Sequence, residues 1–184
     1  MKSWISRLGA VALVCTIASS STAGLFTKKP ELVIPDLPTA KEQYGFAVMY
    51  QRSLIIPAEP KRRGEILQRC IMCHERVIKN FPDDQIYTPL SYVEIADCVA
   101  GQSNFKKALQ MYTAAMQKYP QNDFLQARCL FYIARCQDRM GNFEYAKQLY
   151  KQFLDTYRDS KEPNVQQMLK RAQTAYYQVR ERKS

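Results

Sequence analysis

The chain has 184 residues with a formal net charge of +10, enough for one domain with an extended core and too short for a multi-domain assembly. The positive charge is dispersed, with clusters only at Lys61-Arg62-Arg63 and in the Arg180 to Lys183 tail. This balance suits acidic partners, anionic lipid headgroups or nucleic acid, and export of the chain would argue against the last.

Met1 to Arg7 is a short basic start, and Leu8 to Ala18 is an apolar run of signal-peptide length, too short to span a bilayer. Ser21-Thr22-Ala23 offers small residues at the two positions a signal peptidase reads. Residues 1–23 are therefore expected to be a signal peptide cleaved before Gly24, with an uncleaved anchor or lipidation at Cys15 as alternatives. Residues 24–60 read as a proline-rich leader carrying one helix. That helix is predicted over Thr39–Gln51, with Tyr44, Ala47, Val48 and Gln51 on one side. Pro57-Ala58-Glu59-Pro60 forbids its continuation.

From Lys61 a 38-residue echo governs the chain. Phe81, Tyr119 and Tyr157 stand 38 residues apart, as do Cys70, Ala108 and Ala146, and His74, Tyr112 and Tyr150. Leu67, Cys70, Ile71, His74, Val77, Ile78 and Phe81 follow the spacing of one helix face, and the next two copies repeat it. Prolines 82 and 120 stop the first two of these helices. The partner helices match as well: Tyr92, Ile95, Ala96 and Cys98 correspond to Leu130, Ile133, Ala134 and Cys136. Gly101 to Asn104 and Gly141-Asn142 suit the tight turns between them. Asn164 to Arg182 carries a last apolar stripe, the closing helix that an open-ended stack needs. The prediction is an all-α antiparallel helix-pair solenoid over residues 61–184. It has two full units, a leading half unit without a good front helix, and a C-terminal capping helix.

Alanines at the crossings (Ala96, Ala134, Ala108, Ala146) and aromatics where helices interlock (Tyr92, Tyr112, Tyr150, Phe153) resemble the tetratricopeptide repeat. That family repeats about every 34 residues, so four extra residues are expected between units here, near Gln85–Thr88 and Asp123–Gln126. With a signal peptide and a proline-rich leader, the chain resembles exported bacterial envelope members of the family. These include the lipoprotein of the outer-membrane β-barrel assembly machinery and the Tol-associated periplasmic coordinator. The resemblance implies a non-enzymatic protein–protein scaffold, in the periplasm or at the outer-membrane periphery, that holds an envelope protein or peptide.

Cys70-Ile71-Met72-Cys73-His74 carries a competing reading, because C-x-x-C-H is the attachment signature of a c-type haem. Cys70 and Cys73 would bond the vinyl groups and His74 would ligate the iron, giving an electron-transfer protein. The repeat register opposes this, since each of the three residues occupies a site where the sister units place a packing side chain. A redox dithiol is disfavoured because Cys70 lies about two turns inside its helix. The packing alternative makes the two cysteines small hydrophobes and His74 a substitute for an interlocking tyrosine. Helix-to-helix disulfides, for example from Cys70 or Cys73 to Cys98, stay open. No zinc ligand set, phosphate loop or nucleophile–base pair stands out, and Asp83-Asp84 reads as a solvated turn.

The candidate partner groove lies on the front helices. Arg128, Phe131, Arg135, Asp138 and Arg139 share a side distinct from the Leu130-Ile133-Ala134 stripe, and Val93 and Asp97 are their counterparts one unit earlier. Arginines beside an exposed aromatic suit a peptide that carries carboxylates or a free C-terminus.

Overall fold

The computed structural model describes residues 33–55 and 60–181. The expected signal segment, Cys15 and the first part of the leader lie outside these residues. The described part is built from seven helices: α1 (Ala40–Ile55), α2 (Pro60–Asn80), α3 (Tyr87–Gly101), α4 (Phe105–Lys118), α5 (Asp123–Arg139), α6 (Phe143–Tyr157) and α7 (Pro163–Glu181). Each helix packs on the next. The odd-numbered helices also touch in sequence, α1 on α3, α3 on α5 and α5 on α7, whereas α2, α4 and α6 make no such contact with one another. The odd-numbered row is therefore the more crowded side of a helical-repeat stack.

Local chemistry sets the helix ends. Thr39 Oγ1 accepts from the Glu42 amide at 3.2 Å and donates to its carboxylate at 2.8 Å, a side-chain N-cap that starts α1. Pro60 opens α2 at a position where a missing N–H costs nothing. Asp84 Oδ1 accepts from the amides of Ile86 (2.9 Å) and Tyr87 (2.5 Å) at the head of α3. Asn104 and Asn122 accept from Lys107 and Leu125 and cap α4 and α5. In the turns within units, the left-handed positions are Ser103 (φ 64°) and Gly141 (φ 82°), which are repeat-equivalent. Gly101 serves a different end: a Cβ there would stand 3.1 Å from the Leu67 side chain.

Two apolar clusters form the core, one spanning α2 to α5 and the other α5 to α7, and Tyr132 and Ile133 of α5 pack against both. The interlocking aromatics Tyr112 and Tyr150 are 0% and 1% exposed. Each such side chain contributes about 2–3 kcal/mol from burial alone. The closing helix seals the stack with Val165, Met168, Ala172 and Val179.

Two expectations change. The first unit does have a front helix, because α1 packs along α2 and touches α3. The 38-residue period would end that helix at position 63, as α3 ends at Gly101, but α1 ends at Ile55. Residues 60–63 instead open a longer α2, which hides α1 from the repeat, and the expected break at Pro57 to Glu59 lies outside the described residues. The extra residues near Asp123–Gln126 do not form a connection either. They are the first turn of α5, which begins at Asp123.

The leader is tied to the stack. Gln43, 0% exposed, accepts from the Leu37 amide (2.9 Å) and donates to the Pro35 carbonyl (3.0 Å). Asp36 accepts from Arg76 at 2.6 Å and from Asn80 at 2.8 Å, and these hydrogen bonds hold its carboxyl below the usual range. Among the described residues no helix is long and apolar enough to cross a membrane.

Candidate functional site

The charged residues expected in one groove divide into a buried network and an open cavity. Arg128 of α5 reaches α3, with Nη2 2.8 Å from Glu94 Oε1 and 2.6 Å from Asp97 Oδ2. The Tyr44 hydroxyl of α1 donates to Glu94 at 3.3 Å, and the Tyr112 hydroxyl of α4 donates to Asp97. The side chains of Arg128, Glu94 and Asp97 are 14%, 12% and 16% exposed. Burial pushes Asp97 above the usual carboxylate range, against the pull of Arg128. For Arg128, burial alone would favour the neutral form, but Asp97 and Glu94 outweigh it and hold the guanidinium charged. These residues tie three successive front helices together.

Phe131 and Val93 are corrections of the same kind. Expected as exposed groove residues, they are 1% and 0% exposed. The Phe131 ring packs on Tyr132, Tyr150 and Phe153 at centroid distances of 5.3, 6.4 and 5.6 Å. The physical reason is the stack itself. A front helix meets its own partner, the preceding back helix and front helices on both sides, so the strip left to solvent is narrower than a helical wheel suggests.

What remains open is a cavity of about 420 Å³ between the C-terminal ends of α3 and α5 and the start of α4. Arg135 and Arg139 line it. Arg63, Phe105, Tyr112 and Tyr132 also line it and were not foreseen there, although Arg63 belongs to the basic triplet visible in the sequence. Arg135 lies 5.3 Å from the Tyr132 ring centroid, and Arg139 lies 5.7 Å from that of Phe105. Both guanidinium groups therefore line the cavity beside flat apolar surfaces. The one carboxylate in the lining, Asp97, is already held by Arg128 and Tyr112. Asp138 is half-buried on α5 and does not line the cavity. Arg171 of α7 lies over Phe131 at 5.6 Å and adds positive charge to the same row.

The C-x-x-C-H residues are core. Cys70, Cys73 and His74 are each 0% exposed. His74 stacks edge-on with Tyr44 at 5.7 Å and has Ser91 Oγ at 3.5 Å and Gln51 Oε1 at 3.3 Å. Burial pushes its pKa down to about 4. The arrangement does not fit a haem, because both thiols and the ring are fully enclosed by packed side chains, with no room for a macrocycle beside them. Cys98 and Cys136 are buried too, as packing residues would be. Among the described residues no group of three or more His, Cys, Asp or Glu could hold a metal ion.

Residues 100–172 match the tetratricopeptide repeat family. The fold is similar to the crystal structure of a TPR-like protein from Chlorobium tepidum TLS. That match has a TM-score of 0.54 at 16% identity and covers 76% of this chain and 93% of the other. No curated protein matches the chain at a significant level. The repeat match and the shared fold agree on a tetratricopeptide-like helical solenoid, an architecture that suggests a scaffold for protein–protein contacts.

Proposed function

We propose that the chain is a non-enzymatic scaffold of the bacterial cell envelope that seats an acidic peptide, or an acidic segment of an envelope protein, on its concave side. The observation that carries this reading is the convergence of Arg63, Arg135 and Arg139 on one cavity between successive front helices. A guanidinium pairs with a carboxylate through two parallel hydrogen bonds, and Phe105 and Tyr132 supply apolar surface for the rest of the segment. The buried Arg128 network supports the reading because it fixes the helices that carry these groups. The basic start, short apolar run and small residues before Gly24 support export to the periplasm or outer-membrane periphery.

Fluorescence anisotropy with labelled acidic and neutral peptides tests the groove. Acidic peptides are expected to bind more tightly, and Arg135→Glu with Arg139→Glu to weaken them at least ~10-fold, the loss of one charge-assisted pair. Equal affinity for both peptide classes, or binding unchanged in the double variant, overturns the groove assignment. Fractionation of the native cell tests the compartment, where a cytosolic chain with its leader intact overturns the envelope assignment. Crosslinking in that cell would then identify the partner.

A further inference from the structure

All five cysteines among the described residues are buried, but their surroundings differ. Cys70 of α2 and Cys98 of α3 are 0% and 1% exposed and belong to one apolar cluster. Their two helices pack along each other, and the two thiols share a hydrogen bond across that interface. Cys73 sits one turn further along α2, where burial and then the neighbouring Cys70 push its thiol up to about 12, with no bond to Cys98. Cys129 and Cys136 are perturbed by burial first, and among the described residues no other thiol perturbs them.

The repeat gives an independent reason why Cys70 and Cys98 stand close. Thirty-eight residues later the same two positions hold Ala108 and Cys136, both buried in the same cluster. Small side chains at both positions mark a close crossing of helices, and a close crossing is what the short Cα–Cα span of a disulfide requires. The first crossing differs from its sister by having sulfur on both sides.

We propose that Cys70 and Cys98 form a disulfide that staples α2 to α3 when the folding chain meets a disulfide oxidant. The Cys70 thiolate attacks one sulfur of the oxidant, breaking its S–S bond, forming a mixed disulfide and releasing one thiol. Cys98 then loses its proton and attacks Cys70 Sγ, releasing the second thiol. The oxidant gains two electrons and two protons, and the two cysteines lose them. Because both sulfurs are enclosed in the folded chain, the bond forms before the α2–α3 interface closes. The staple joins the first unit to the second, beside the front helices that carry the Arg128 network.

The test is to refold the full chain in oxidised glutathione, alkylate remaining thiols and map linked peptides without reduction. A link between the peptides containing Cys70 and Cys98 is expected, with a melting temperature about 10 °C above that of the reduced protein. Cys70→Ala, which installs the sister residue, should abolish the link and leave Cys98 alkylated. Cys73→Ala should keep the link, and in that variant Cys70 is the only cysteine its peptide contains. If Cys70→Ala fails to fold, the Cys73→Ala map decides alone. An alkylated Cys98 in folded Cys73→Ala protein, or Cys98 linked to any other cysteine, overturns the proposal. The readout uses a defined oxidant and no partner, so it stands or falls separately from the peptide groove.

Discussion

Replacing Arg128 by Met should unfold the stack from its middle. The side chain bonds Asp97 at 2.6 Å and Glu94 at 2.8 Å, with all three groups less than a fifth exposed. Methionine fills much of the volume but leaves two enclosed carboxylates with no counter-charge, and breaking a buried pair in this way costs about 3–5 kcal/mol. For a chain of this size that corresponds to a fall in melting temperature of about 10 °C or more. The loss should depend on pH in a definite direction. Without Arg128 the Asp97 carboxyl, which burial already raises, takes up its proton well above its ordinary range in the folded state but not in the unfolded one. The folded variant then binds more protons than its unfolded chain, so its deficit is greatest at neutral pH and shrinks as pH falls. Urea unfolding of wild type and variant at pH 7 and pH 5 measures this. Adding Asp97→Asn and Glu94→Gln to Arg128→Met should recover much of the loss, since neutral amides tolerate the site better than unpaired charges. A deficit below about 1 kcal/mol at pH 7, or one that grows on acidification, would refute the reasoning.

Phe131→Ala separates a core residue from a groove residue. At 1% exposure the truncation should cost about 3–5 kcal/mol in denaturant unfolding, whereas an exposed aromatic would cost under about 0.5 kcal/mol. His74 should make the stack acid-sensitive. Its folded pKa lies near 4 and its ordinary value is 6.5, so between these the unfolded chain binds the extra proton and stability falls as pH drops. Between pH 7 and pH 5 wild type should lose about 2 kcal/mol more than His74→Gln, and parallel stability–pH curves for the two proteins would contradict this.

The helices and their pairing could be read from the residues because both are local or periodic. A 3.6-residue apolar spacing sets each helix, and an echo at one offset shows that successive helices do equivalent work. The same register identified Cys70, Cys73 and His74 as packing positions, and the structure buries all three. Front helix α1 escaped the register because α2 is extended at its start. The groove was only half legible. On a helical wheel Arg128, Phe131, Arg135 and Arg139 look alike, yet Arg128 and Phe131 are enclosed while Arg135 and Arg139 line an open cavity. What separates them is contact with α3, α4, α6 and α7, whose residues are distant in sequence. Charge and periodicity along the chain therefore determined the architecture and its basic character. Only the stacking of helices decided which charges are spent inside and which face outward, because burial belongs to the assembled surface and not to any one helix.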